Sequence, residues 1–189
     1  MKVLIIGDVM GKPGRDAMKE FLDKKKNDYD FVIVNGENAA AGFGITPKIA
    51  DEFFELGVDV ITSGNHIWDK KELYPYLDEN RNILRPLNYP KGVPGFGYTI
   101  KENGKGEKIA VINIQGRVFM PEVDSPFQRI EEAIEEIKKE TKNIIVDFHA
   151  EATSEKLAMG WYLDGRVSAV YGTHTHVQTA DETILERGT

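Results

Sequence analysis

Phe31-Val32-Ile33-Val34-Asn35-Gly36-Glu37-Asn38 is the stretch that decides the fold. Four apolar residues, three of them β-branched, run without polar alternation and stop at an amide, a glycine and a carboxylate. A short unbroken apolar run of this kind reads as a strand buried on both faces. The same form appears on either side of it. Val3-Leu4-Ile5-Ile6 ends in Gly7-Asp8, and the strand read over Val58–Thr62 leads into Ser63-Gly64-Asn65-His66. Helical signals fill the gaps. A turn at Gly11, Pro13 and Gly14 precedes a helix around Arg15–Lys26, with Ala17, Met18, Phe21 and Leu22 at helical spacing. Thr46-Pro47 supplies an N-cap and a first-turn proline for a helix that runs to about Leu56 and ends at Gly57. A βαβαβ series implies a parallel sheet with right-handed crossovers.

The second half is organised differently. Asp69–Asn80 reads as a weak helix interrupted by Pro75. Prolines 86, 90 and 94 with glycines 92, 95 and 97 mark an irregular connection. Tyr98–Lys101 and Lys108–Ile114 then read as a hairpin across Asn103-Gly104-Lys105-Gly106. Ser125-Pro126 opens a helix to about Glu140, with Phe127, Ile130, Ala133, Ile134 and Ile137 on one face. Asn143–Phe148 and Arg166–Tyr171 are two further strands, with a short helix near Ser154–Tyr162 that Thr153-Ser154 is expected to cap. Glu131, Glu132, Glu135 and Glu136 form the solvated face of their helix.

The 189 residues suffice for one domain with a sizeable core. Apolar content of 41% and charged content of 29% are ordinary for a globular chain. A formal charge of −7 argues against wrapping long nucleic acid but leaves room for a small nucleotide held by cations. The chain has no cysteine, which excludes disulfides and thiolate metal sites and fits a cytoplasmic location. No apolar run reaches signal-peptide or membrane-spanning length.

The polar punctuation after each strand is where chemistry concentrates, because open α/β sheets place their sites at the carboxyl ends of strands. Asp8 follows the first strand, Glu37 and Asn38 the second, Asn65 and His66 the third. His149 ends Asn143–Phe148, and Gly172-Thr173-His174-Thr175-His176 follows the last strand. Each has a plain alternative: an Asx turn for Asp8, an exposed acid for Glu37, a tight turn for Gly64-Asn65-His66, a hydrogen-bonded structural residue for His149, loop histidines for 174 and 176. On an extended backbone the last two would share a face. Asp147 is expected on the face opposite to His149, which makes it a poor ligand. The conjunction decides. Two carboxylates, two amides and several imidazoles suit Mn²⁺, Fe or Zn²⁺. Two such ions about 3.5–4 Å apart would clamp a phosphoryl centre. Of the nearby aromatics, Trp68 is assigned to packing and Phe43 to an exposed glycine-rich loop.

The chain resembles the calcineurin-like metallophosphoesterases in Gly7-Asp8, Gly36-Glu37-Asn38, Gly64-Asn65-His66, His149 and Gly172–His176. More narrowly it resembles the bacterial YmdB-type 2′,3′-cyclic-nucleotide phosphodiesterases. The strings GDVMGKPGR (7–15), NGENAAAGFGIT (35–46), TSGNHIWD (62–69), DFHAEATSEK (147–156) and GTHTHVQTADE (172–182) carry the closer match. Two departures from the wider superfamily mark the narrower group: Met10 where a histidine is usual, and Glu37 where the bridging residue is usually aspartate.

That resemblance implies an α/β fold, a layered α/β/β/α sandwich with two mixed sheets. It implies one domain over 1–189, which is C-terminally incomplete because family members continue past a segment like Ile184–Thr189. It also implies two metal ions, Mn or Fe foremost and Zn next. Asp8, Asn38 and His176 would bind one, Asn65, His149 and His174 the other, with Glu37 bridging and His66 as the acid. The implied reaction is in-line attack of a metal-bound hydroxide on a small cyclic-nucleotide or other phosphodiester substrate, 2′,3′- or 3′,5′-cyclic. No membrane partner is expected, and a homo-oligomer is compatible. The rival readings are a phosphomonoesterase or RNA-processing phosphoesterase on the same site, and a non-catalytic metal- or nucleotide-binding module.

Overall fold

A computed structural model describes all of residues 1–189. Strands β1 (Val3–Ile6), β2 (Phe31–Asn35) and β3 (Val60–Thr62) form one sheet in the order β1-β2-β3, parallel throughout. Strands β4 (Tyr98–Glu102), β5 (Lys108–Gln115), β6 (Ile144–His149) and β7 (Ala169–Thr173) form the other. Its β4-β5 pair is antiparallel and the other two pairs are parallel, so mixing is confined to this sheet. Helices α1 (Gly11–Lys25), α2 (Pro47–Glu55), α3 (Leu73–Glu79), α4 (Pro126–Ile137) and α5 (Thr153–Tyr162) complete the chain.

Three apolar clusters define the layers. Val32, Val34 and Ile61 of the first sheet pack with Met18, Leu22 and Phe53 of the helices and with Leu73 and Leu77. Ala110, Ile112, Ile114, Val146 and Phe148 of the second sheet pack with Ile130, Ile134, Ile137 and Met159. Phe31, Ile33 and Val60 meet Val111, Ile109 and Ile145 between the sheets. The alternation is the two-residue period of a strand, odd positions on β2, β5 and β6 facing the opposite sheet. The result is α/β/β/α.

Local chemistry explains most boundaries. Thr46 Oγ1 accepts from the N–H of Ile49 at 3.3 Å, capping α2 with Pro47 in its first turn. At its other end Gly57 takes φ +86°, and the N–H groups of Gly57 and Val58 reach back to the carbonyls of Phe54 and Phe53, a Schellman closure.

Four expectations need correcting. The Gly11–Gly14 segment is the first turn of α1 rather than a turn before it, since Pro13 there has no intrahelical partner to lose. On the same helix Met18 and Leu22 are buried, but Ala17 and Phe21 are exposed. Pro75 does not interrupt α3: it is the third helical residue, where its missing N–H has no partner to lose. The N-cap of α5 is Ala152, with no side-chain bond from Thr153 or Ser154. No helix is long and apolar enough to cross a membrane.

Candidate active site at the carboxyl ends of two sheets

The inner faces of the strands change character along their length. They begin apolar and end at Asn35, Thr62, Asn113, Asp147 and Thr173, all buried. Burying these groups is tolerable only because each is hydrogen-bonded. Asn35 Nδ2 donates to Asp147 Oδ2 at 3.0 Å, joining β2 to β6 across the sheets. Asn113 Nδ2 donates to the Ser63 carbonyl at 2.9 Å, and the Ser63 N–H donates to Asn113 Oδ1 at 3.0 Å. Thr62 and Thr173 hydroxyls donate to the Asp147 carboxylate. Burial pushes the Asp147 carboxyl up to about 6, opposed by the donated hydrogen bonds of Thr173, Thr62 and Asn35. Asp147 and His149, two apart on β6, lie on the same inner face; the expectation of opposite faces was wrong because the strand period is two. Asp147 sits below His149 rather than beside it.

On this polar bed the residues singled out by sequence converge. His149 is buried, with Nε2 at 3.0 Å from Glu37 Oε1, 3.1 Å from His174 Nδ1 and 3.3 Å from Asn65 Oδ1. Glu37 is buried too, and its second oxygen accepts the N–H of His66 at 3.1 Å. Burial alone would raise the Glu37 carboxyl; the His149 hydrogen bond and charge, with the His66 N–H, outweigh it and hold the group below its ordinary value. For His149 burial alone would lower the imidazole, and the Glu37 hydrogen bond and charge raise it instead. His174 is lowered by burial and by the neighbouring His149.

Asp8, Asn38 and His176 form an adjoining group. His176 Nε2 lies 3.1 Å from Asn38 Oδ1 and 3.8 Å from Asp8 Oδ1. Asn38 Nδ2 is spent on the Gly42 carbonyl at 2.9 Å, which turns Oδ1 toward His176. The His174 N–H donates to both Asp8 oxygens at 3.2 Å, tying the two groups together. His174 and His176 follow β7 with φ +99° and +56°, so they are not extended as expected. Left-handed backbone at both positions swings their rings to different groups, His174 toward His149 and His176 toward Asn38. The chain passes close as well. A Cβ added at Gly64 would lie 2.1 Å from His149 Nε2 and 2.4 Å from Glu37 Oε2, so only glycine fits there.

A single Nε2 cannot satisfy a carboxylate, an amide oxygen and a second imidazole with one proton. More acceptors converge on this nitrogen than one proton can satisfy. Glu37, His149 and His174 each offer a ligand atom within 4.8 Å of the others, a spacing that can hold a metal ion. The donors are carboxylate, imidazole and amide oxygen, which fit a divalent transition metal.

His66 stands at the rim. Its Nδ1 pairs with Asp69 Oδ2 at 2.8 Å, and the exposed Phe43 ring meets it edge-on at 5.0 Å. Trp68 packs edge-on against Tyr74 and Tyr89 as expected for a packing residue. Sequence reading missed three contributors: Asp69, which orients His66; Thr173, whose hydroxyl lies 2.9 Å from His149 Nδ1; and Glu151, 3.1 Å from His174 Nε2. Asp69 alone carried a signal, three residues after a histidine on one helical turn.

Known proteins resemble the chain over its whole length. The 2′,3′-cyclic-nucleotide 2′-phosphodiesterase of Bacillus subtilis (strain 168) is 57% identical over 192 residues, covering 100% of this chain and 72% of that protein. A crystal structure of a hypothetical protein from Thermus thermophilus superposes with a TM-score of 0.94 at 48% identity, over 99% of this chain and 73% of that one. A novel phosphatase from Mycoplasma pneumoniae superposes with a TM-score of 0.90 at 38% identity, over 100% and 69%. The family model for YmdB-like proteins matches residues 4–189, and the chain belongs to that family.

Proposed function

We propose that this chain is a phosphodiesterase with two metal ions that hydrolyses cyclic nucleotides, 2′,3′-cyclic first and 3′,5′-cyclic as a second class. The observation that carries the reading is the crowding at His149 Nε2, where a carboxylate, an amide oxygen and an imidazole nitrogen all lie within 3.3 Å. Asn65, His149 and His174 would hold one ion, Asp8, Asn38 and His176 the other, and Glu37 both. Bound there, Mn or Fe would supply Lewis-acid stabilisation of charge on the phosphoryl oxygens and activation of water.

The chain's own residues do the rest. Glu37 has two oxygens, one directed to His149 and one held by the His66 N–H, so the orientation of its carboxylate beside His149 is fixed. His66 has Nδ1 engaged by Asp69, which leaves Nε2 as the atom that can carry a proton to a leaving ribose oxygen. Phe43, exposed beside His66, offers an apolar ring against which a base can rest. The Bacillus subtilis relative, named for 2′,3′-cyclic nucleotides, supports the substrate class.

The test combines metal analysis with initial rates on 2′,3′- and 3′,5′-cyclic nucleotides, an aryl monophosphate and a short RNA after Mn²⁺ loading. Two ions per chain and turnover fastest on a cyclic nucleotide are expected. His66→Ala should lower kcat by about 10²–10⁴-fold with metal content intact. Wild-type turnover in that variant would remove the acid role, and faster monoester than diester hydrolysis would overturn the substrate class.

A further inference from the structure

Beneath the site, four groups form a chain of hydrogen bonds whose direction is fixed at one end. Asn35 sets it. Its Oδ1 accepts the Glu37 N–H at 3.2 Å, and its Nδ2 faces the Ser63 carbonyl at 3.3 Å. The amide is therefore oriented, and Nδ2 can only donate to Asp147 Oδ2, 3.0 Å away. The other carboxylate oxygen, Oδ1, takes the Thr173 hydroxyl at 2.6 Å. A hydroxyl has one proton; once it is given to Asp147, Thr173 Oγ1 can only accept at its remaining contacts. One of these is His149 Nδ1, at 2.9 Å. Nδ1 must then carry a proton. All members are buried, so no solvent competes for these bonds.

We propose that Asp147 and Thr173 act as a positioning relay that keeps a proton on Nδ1 of His149 and thereby leaves Nε2 as the lone pair presented to the Glu37–His174 cluster. This rests on the reading of His149 as a metal ligand, and it adds two residues to that reading that never touch metal or substrate. Without the relay, the Glu37 carboxylate 3.0 Å from Nε2 would draw the single proton of a neutral imidazole to the wrong nitrogen. Groups that orient a ligating histidine in this way are worth about 10–100-fold in metal affinity.

The relay makes an unusual prediction for Asp147→Asn. The new amide must turn its oxygen toward the fixed donor Asn35 Nδ2, which places its NH₂ against Thr173 Oγ1. The hydroxyl now accepts there and turns its proton onto His149 Nδ1. The direction of the whole chain reverses, and the imidazole proton moves to Nε2. Thr173→Val removes the acceptor without reversing anything, whereas Thr173→Ser retains it.

The experiment reads the His149 ring nitrogens by ¹⁵N NMR in metal-free protein and the Zn²⁺ affinity of the same samples by chelator competition, Zn²⁺ being the sole probe. Wild type and Thr173→Ser should show a protonated Nδ1. Asp147→Asn should show a bare Nδ1 and bind Zn²⁺ about 10–100-fold more weakly, with Thr173→Val weakened by about 10-fold. A bare Nδ1 in wild type overturns the proposal outright, with no variant required. Asp147→Asn or Thr173→Val with wild-type Zn²⁺ affinity and a protonated Nδ1 overturns it equally. If His149→Ala binds Zn²⁺ as well as wild type, the ligand reading falls instead, while the Nδ1 signals still judge the relay.

Discussion

Gly64→Ala tests the site with a single methyl group. The added Cβ would lie 2.1 Å from His149 Nε2, 2.2 Å from Cδ2 and 2.4 Å from Glu37 Oε2. Apolar contacts settle near 3.5–4.0 Å, so the imidazole must retreat by more than about 1 Å. It has no free direction: Nδ1 is held by Thr173 at 2.9 Å, and both His149 and Glu37 are buried. Overpacking of this kind costs roughly 1–3 kcal/mol, which for a chain of this size lowers Tm by about 2–12 °C. The functional loss should be larger than the structural one. Metal–ligand distances tolerate about 0.2 Å, so a shift over five times that forfeits the ligand. We expect Gly64→Ala to be folded by circular dichroism, to melt earlier, and to hold less than one Mn²⁺ per chain after reconstitution. Turnover should fall at least 100-fold, beyond what the loss of stability explains. Gly160→Ala is the control: nothing lies within 4 Å of a Cβ there, and a helical position gains from alanine. Full metal content and wild-type hydrolysis in Gly64→Ala would refute the geometry on which the whole site is argued.

Other perturbations separate ligands from scaffold. Asp8→Asn and Glu37→Gln should each lower bound metal in elemental analysis, Glu37→Gln more if its carboxylate serves both ions as proposed; two full equivalents in either variant would contradict the assignment. Glu155, buried against the chain turn after β5, accepts the N–H groups of Arg117 and Val118 at 3.0 and 3.2 Å. Glu155→Ala strands both donors and should cost about 1–3 kcal/mol in urea unfolding, and a loss below about 0.5 kcal/mol would show that the turn re-forms without it. On the surface, Arg166 followed by Tyr162 holds the Glu131 carboxyl down to about 2 from 4.5. A depressed carboxylate contributes stability above its unfolded value and loses it as pH falls through the folded one. Half-exposed and screened, the pair is worth at most about 1 kcal/mol. The Tm gap between wild type and Arg166→Leu should therefore be open at pH 7 and close between pH 4.5 and 2; a gap unchanged at pH 2 would rule the ion pair out as its source.

Strand ends and site residues were legible in the sequence because they depend on short-range pattern. Unbroken apolar runs alternating with helical segments fit strands covered on both faces, and a carboxylate or imidazole just past such a run emerges at the carboxyl end of the sheet. Hence the positions of Asp8, Glu37, Asn38, Asn65, His149, His174 and His176 could be read before any contact was known. What was not legible depends on backbone angle or on distant partners. The left-handed φ at His174 and His176 is only weakly marked in the sequence, since positive φ is uncommon even for histidine, one of the residue types enriched there. Pro75 and Pro13 read as breakers because the start of a helix is harder to place than its middle, and both fall within a first turn. Thr173 reads as one threonine among strand residues; only its approach to Asp147, 26 positions away, gives it a role. Asp147 and His149 share a face simply because they are two residues apart on one strand.

The polar bed explains why a site built from two sheets can be rigid. Asp8, Glu37, Asn38 and Asn65 come from the first sheet, and His149, His174 and His176 from the second. Between them the apolar layer of Ile33, Val60, Val111 and Ile145 supplies adhesion, but apolar contact is non-directional and leaves the sheets free to slide. Directional bonds remove that freedom. Asn35 with Asp147, Thr62 with Asp147, and Ser63 with Asn113 cross the gap where the apolar layer ends, beneath the candidate ligand groups. Replacing any of these residues by an apolar one of similar volume could preserve packing, yet it would strand the partner and release the register. In this fold the placement of the candidate ligand groups is therefore set by buried amides and hydroxyls that never reach the site themselves.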